Sequence, residues 1–254
     1  MRRATLSVLA ALLALPAWAE TPRGPTIPFL IPPAQDARRV SVTVDRGLRD
    51  SRRLPNDALR AARVALQAGD PVAVPDLRRL AEAGDGLAAQ RYVRVLLADP
   101  ASADPSDIAY FSAIAVATGR IWTLVPMIEA MHRLDPATEP PARVRKLIDT
   151  IYPHAWAGNS LALDALLAFN GEGRLFGPLS DRTRQRILAQ ARKTGDGRTE
   201  LSLALGILEA QRRAAAPDAA AMAQARDYLD LARGSDHLAV RTTAENLLRL
   251  LDGG

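Results

Sequence analysis

Few residues of this chain have the type and spacing to carry chemistry. Histidine occurs only at His132, His154 and His237. No two of them stand three or four positions apart, the spacing that puts two imidazoles on one helix face. Two of the three fall near expected helix ends, where a protonated imidazole serves as an ordinary cap. Cysteine is absent, which removes disulfides, thiolate metal sites, a thiol nucleophile and the lipidated cysteine of a lipoprotein. No G-x-S-x-G elbow occurs, and Ser160, after Gly158 and Asn159, reads as helix-start chemistry rather than as a nucleophile. Glu172, in Asn170-Gly171-Glu172-Gly173, is the acid to consider for glycoside cleavage, a reaction that needs two carboxylates across the bond. The run Gly171-x-Gly173-x-x-x-Gly177 follows a helical pattern rather than a strand, so its amides have no reason to converge on a phosphate. These residues imply neither a metal nor a cofactor.

Recognition of another protein makes lighter demands. Arg91, Tyr92 and Arg94 share one expected helix, Trp122 opens the next, and Tyr152 and Trp156 stand near a later turn. Arginine and aromatic side chains dominate protein–protein interfaces, so these residues, with Asn170 and Glu172, are the partner-binding candidates. The competing reading buries Trp122 and Trp156 between structural units. Arg91 and Arg94 cannot both be core, so at least one faces solvent or a partner. Without Arg2 and Arg3 the chain has 31 basic and 28 acidic residues, a net of +3. Acids and bases interleave along most of its length, so no nucleic-acid stripe stands out.

The elements that must position these residues begin after a leader. Arg2 and Arg3 precede an apolar run from Ala4 to Leu15, Pro16 breaks it, and Ala17-Trp18-Ala19 has the small-x-small pattern of a cleavage site. The run is too short for the roughly 20 residues a membrane-spanning helix needs. Residues 1–19 are therefore expected to be a signal peptide cut between Ala19 and Glu20. That places the mature chain in the periplasm or outside the cell, with no stable membrane insertion.

Residues 20–54 read as an extended, proline-rich arm. Pro22, Pro25, Pro28, Pro32 and Pro33 disfavour helix, and Val40, Val42 and Val44 alternate with polar residues in a short strand pattern. Such an arm either stays a disordered tail or docks on the rest of the fold or on a partner's sheet edge.

From residue 55 to 254 the pattern is helical. Gly84, Gly119, Gly158, Gly195 and Gly234 each end one amphipathic pattern and open another, at intervals of 35, 39, 37 and 39 residues. Glycine tolerates the left-handed conformation that closes a helix, and the Asp, Asn or Ser that follows can accept the orphan N–H groups of the next. The period therefore marks one helix–turn–helix unit per repeat. First helices are expected at 86–98, 123–134, 160–170, 197–213 and 236–251, and second helices at 105–118, 140–157, 180–194 and 217–233. Pro126 is harmless in the first turn if Thr123 caps its helix, and kinks the helix otherwise. Helices this short are marginal alone, so stacked neighbours must bury their faces. The expected fold is an all-α solenoid of about five repeats.

Ala165-Leu166-Leu167-Ala168-Phe169-Asn170-Gly171-Glu172-Gly173, followed by Asp181, resembles a Sel1-type repeat. Leu203-Ala204-Leu205-Gly206 with Ala225, Tyr228, Leu229, Ala232 and Gly234 is similar to the Ala–Leu–Gly and Ala–Tyr–Ala–Gly skeleton of the same family, and Asp107-Ile108-Ala109-Tyr110-Phe111 with Ala113, Ala115 and Gly119 looks like one of its second helices. The first helix after Gly119 lacks the Ala–Leu–Gly element, and the Gly-x-Gly loop occurs clearly once, a pattern compatible with tetratricopeptide-like repeats as well. The resemblance implies a right-handed superhelix acting as a scaffold or adaptor, with no cofactor and no catalytic residues. The expected role is an adaptor that takes another envelope protein on its concave face. The alternative is a peptidoglycan-acting enzyme or its accessory subunit, like the lytic transglycosylases that carry a helical superhelix. Such an enzyme also needs a compact catalytic domain, for which the repeat register leaves no room.

Overall fold

The computed structural model describes residues 40–252, apart from 195, 196 and 215. The expected leader and residues 20–39 of the arm lie outside it. Among the described residues there are eleven α-helices and no strand. They are α1 (Asp57–Ala68), α2 (Val74–Glu82), α3 (Gly86–Ala98), α4 (Pro105–Ala117), α5 (Leu124–Met131), α6 (Pro141–Trp156), α7 (Ser160–Phe169), α8 (Asp181–Thr194), α9 (Arg198–Arg213), α10 (Ala219–Arg233) and α11 (Leu238–Asp252). The expected boundaries hold to within a few residues.

Three of the expected glycine corners between helices share one closure. Gly84, Gly119 and Gly158 have φ of 88°, 92° and 93°, a conformation that a Cβ would oppose. At each corner the next amide reaches back to the last helical turn: Asp85 N–H to the Leu80 carbonyl, Arg120 to Ala115 and Asn159 to His154, at 2.9, 3.0 and 3.0 Å. Two of the following residues then cap the next helix. The Asp85 carboxylate accepts from the Leu87 and Ala88 amides, and the Asn159 side-chain oxygen accepts from Ala162. The corner at Gly119 departs from this scheme. Arg120 cannot accept an N–H, and a 3-10 turn, Ile121–Thr123, intervenes before α5. The Thr123 hydroxyl donates to the Arg120 carbonyl rather than capping. Pro126 still falls in the first turn of α5, so no kink is forced. Gly234 departs too, with its φ at −77°.

Among the described residues, every substantial packing contact between two α-helices joins a helix to the next in the chain or to the next but one. The second kind links α2 with α4, α4 with α6, α7 with α9, and α9 with α11. Helix α4 lies between two apolar clusters. Phe111, Ile114 and Ala115 face the one built from α1 to α3, whereas Ile108, Ala109, Ala113 and Val116 face the one built from α5 to α8. This explains why α4 is apolar on every side rather than along one stripe.

The strand pattern of Val40, Val42 and Val44 does not become a strand. These residues are extended, but their main-chain groups bond singly to helix ends and side chains, because no neighbouring strand offers a ladder. Beyond them Leu48 and Leu54 are buried, flanking a 3-10 turn at Ser51–Arg53. Residues 40–54 of the arm are therefore docked.

Candidate functional site

The structure separates the sequence-derived candidates. Tyr92 is 5% exposed and packs edge-on against Phe111, ring centroids 4.8 Å apart, so it belongs to the core and not to a partner surface. Helical spacing turns it inward while Arg94, two positions on, points to solvent. Arg91 is half-buried and donates to the Asp70 carbonyl at 3.1 Å. Trp122 is 65% exposed, against the reading that buried it between units. With Arg94, Val95 and Leu97 it is among the exposed side chains of α3 and the turn before α5.

Trp156, Asn170 and Glu172 lie at a second place, where α6, α7 and the loop after α7 meet. Trp156 is half-buried, with the Arg186 guanidinium 4.4 Å from its ring centroid and Tyr152 edge-on at 5.7 Å. Asn170 is buried; it donates to the Leu166 carbonyl at 2.8 Å and accepts from the Tyr152 hydroxyl at 3.0 Å. Burial pushes the Tyr152 phenol above its ordinary value. The Gly-x-Gly loop folds on itself: Gly171 N–H donates to the Gly177 carbonyl, Phe176 N–H to that of Phe169, and Arg174 donates to Ala168 and pairs with Glu209 at 3.0 Å. Its bonds close the end of α7, and Glu172 is exposed at the loop. Asn170 is therefore structural rather than a contact residue.

The third place is one that side-chain patterns did not reveal. Residues 40–48 cross the corners at Gly84, Gly119 and Gly158. The Leu48 amide donates to the Gly84 carbonyl at 3.0 Å, and the Val44 and Asp45 amides both donate to Ala117 at 2.8 and 2.9 Å. Asn159 Nδ2 donates to the Val40 carbonyl at 2.9 Å, while its oxygen caps α7. Lys146 pairs with Asp45 at 3.2 Å. The Gly47 amide, with Lys146 behind it, holds the Asp45 carboxyl below its ordinary value. Arg63 anchors the inner end of this crossing, donating to Asp85 Oδ2 at 2.9 Å, to Ser51 Oγ at 2.6 Å and to the Leu48 carbonyl. Asp85 and Asn159 are legible in sequence as helix caps. Their second partners, Arg63 and Val40, lie 22 and 119 residues away in the chain, beyond the reach of any local pattern.

His154 completes the crossing and corrects its reading as a protonated cap. It is fully buried, Nδ1 lies 2.8 Å from the Thr150 carbonyl, and the Val42 amide points at Nε2 from 3.4 Å. The carbonyl requires a proton on Nδ1, which leaves Nε2 as the acceptor for Val42. Burial holds the imidazole below its ordinary value, and the Thr150 bond opposes that shift. A folded value below the unfolded one means the unfolded chain binds the extra proton first. Stability is thus complete above about pH 6.5, and is lost as the pH falls from there through the lower folded value. His132 is shifted in the same direction by burial. The expected result is a melting temperature that falls between about pH 7.5 and about pH 5, and falls clearly less in His154→Gln. Equal declines in the two proteins would refute the assignment.

A polar network ties α2, α4 and α6 together near the start of α4. The buried Asp107 accepts from Arg143 at 2.7 Å and pairs with Arg78 at 3.5 Å, and Arg143 also reaches Ser106 Oγ, which donates to Glu139. Beside it an open groove of about 540 Å³ is lined by Glu82, Tyr110, Arg143, Arg145, Lys146 and Asp149. Its charges already pair: Glu82 with Arg78, Arg143 with Asp107, Arg145 with Asp149 and Lys146 with Asp45. Among the described residues no cluster of three or more His, Asp or Glu side chains has a metal-binding arrangement, and no helix is long and apolar enough to cross a membrane.

Comparison with protein-family models, with curated proteins and with solved structures returns no match for this chain.

Proposed function

We propose that this chain is an exported helical-repeat adaptor that binds another envelope protein and catalyses no reaction. Residues 1–19 are its signal peptide, cut between Ala19 and Glu20, and the mature protein works in the periplasm or outside the cell. Residues 55–254 form about five Sel1-like or tetratricopeptide-like units wound as a right-handed superhelix. The order of helix packing carries this reading: helices whose substantial contacts are with near neighbours in the chain leave continuous surfaces along a stack. Arg94 and Trp122, exposed on α3 and before α5, are the contact residues on one such surface. Neither nucleic acid nor a cofactor takes part.

The test is site-specific photo-crosslinking from positions 94 and 122 in intact cells, followed by mass spectrometry. The same envelope protein should be captured from both positions, and Trp122→Ala should reduce capture from position 94 at least threefold. Capture of no reproducible protein counts against the adaptor. Lysis of peptidoglycan by the purified protein, abolished in Glu172→Ala, would replace it with the enzymatic alternative.

A further inference from the structure

The crossing of residues 40–48 over the helix corners repeats in register. Leu48 meets the corner at Gly84, Val44 the corner at Gly119 and Val40 the corner at Gly158, four arm residues per corner and in the reverse order of the helices. The acceptors on the fold's side lie at or just beyond helix ends. The last carbonyls of an α-helix have no partner within it and stand at the negative end of its dipole. The Ala117 carbonyl at the end of α4 is of this kind, the Gly84 carbonyl lies in the turn just beyond α2, and amides of an extended segment satisfy both.

The arm contributes chiefly main chain; its side chains add a long, exposed contact, from Ser41 Oγ to the Gly119 carbonyl at 3.4 Å. No side chain from Val40 to Arg46 is buried; burial begins with Leu48. The one side-chain pair in that stretch that reaches a helix by its charge is Asp45 with Lys146. Gly47, with φ of 65°, joins the two parts. A Cβ there would lie 2.9 Å from the Gly84 carbonyl oxygen and 3.0 Å from Thr118 Cγ2. The anchored part can therefore stay while the seven residues before Gly47 leave, because few buried contacts oppose local opening.

We infer that the corner strip is a binding site for an extended segment of another protein, recognised through its main chain, and that residues 40–46 are the resident occupant such a segment displaces. The partner segment has amide N–H groups, not prolines, where Val44 and Asp45 now donate, and an acidic side chain facing Lys146. The proposal rests on the adaptor reading and assigns it a second contact surface. Strand addition normally uses a sheet edge; here two helix ends supply main-chain acceptors and, at the third corner, the Asn159 side chain supplies a donor.

The experiment uses the purified full chain and a labelled peptide with the sequence of residues 40–48, followed by fluorescence anisotropy. Two arm variants loosen the resident segment without touching the strip. Val44→Pro removes one amide donor, and Asp45→Lys sets a second cation against Lys146. Both chains should bind the peptide at least tenfold more tightly than the unsubstituted chain. N-methylation of the peptide at the Val44 and Asp45 amides should cost at least tenfold, whereas alanine at Ser41 and Thr43 should change affinity less than threefold. Equal binding by all three chains, at unchanged circular dichroism, overturns the proposal, as does an N-methylated peptide that binds as well as its parent. Either arm variant alone decides the matter if the other fails to fold. The crosslinks from positions 94 and 122 do not involve the strip, so failure of the adaptor reading shows there and not here.

Discussion

Arg63→Ala is expected to lower the free energy of unfolding by about 3–5 kcal/mol, the usual result of removing one member of a buried ion pair. Arg63 and Asp85 are both under a tenth exposed, so the alanine leaves a carboxylate in the interior with only the Leu87 and Ala88 amides as partners. The same substitution strips the Leu48 carbonyl and Ser51 Oγ of their donor and frees the inner end of the arm. Urea denaturation measures the loss. Arg63→Ala combined with Asp85→Asn should recover a substantial part of it, because asparagine keeps the capping oxygen and removes the charge. A loss below about 1 kcal/mol would place the pair among exposed ones and refute its structural weight.

Phe111→Ala should have an effect of similar size, about 3–5 kcal/mol, the cost of emptying a large and fully buried aromatic site. Phe111 is 0% exposed and stands at the middle of α4, with Tyr92 edge-on at 4.8 Å and Tyr110 at 5.3 Å. Because α4 borders both apolar clusters, a void there cannot be filled by shifting the helix without opening a gap on its other side. Phe111→Leu should lose clearly less, since more of the volume is kept. Hydrogen exchange should show the largest loss of protection in α2 and α3, which share the Phe111 cluster. A uniform loss across α8 to α11 would contradict the two-cluster account.

Much of the backbone was legible in the sequence. Glycine, then a small polar acceptor, then an apolar period is local chemistry, and it located α3 after Gly84 and α6 and α7 on either side of Gly158 to within about a residue. The candidate surface was less legible. Tyr92 and Trp122 are the same kind of residue to a reader of interface composition, yet the packing of α3 on α4 turns Tyr92 into the core, whereas Trp122, in the turn before α5, is exposed. The Val40–Val44 alternation was misleading for a related reason. An alternating pattern specifies an extended backbone, but a strand exists only where a second chain segment lies alongside.

The sequence by itself determined the alternation of helices and turns, the closure of the corners by glycine, and the absence of cysteine with only three histidines. These depend on intrinsic backbone preferences and on residue types, and each acts over a few positions. Only the tertiary structure decided that the arm lies across the corners, that Arg63 reaches Asp85 and Leu48, that Asn159 serves α7 and Val40 at once, and that His154 is neutral and buried. Those outcomes depend on which groups are left without partners once the helices have packed, and that is a property of the assembled fold that no single segment carries.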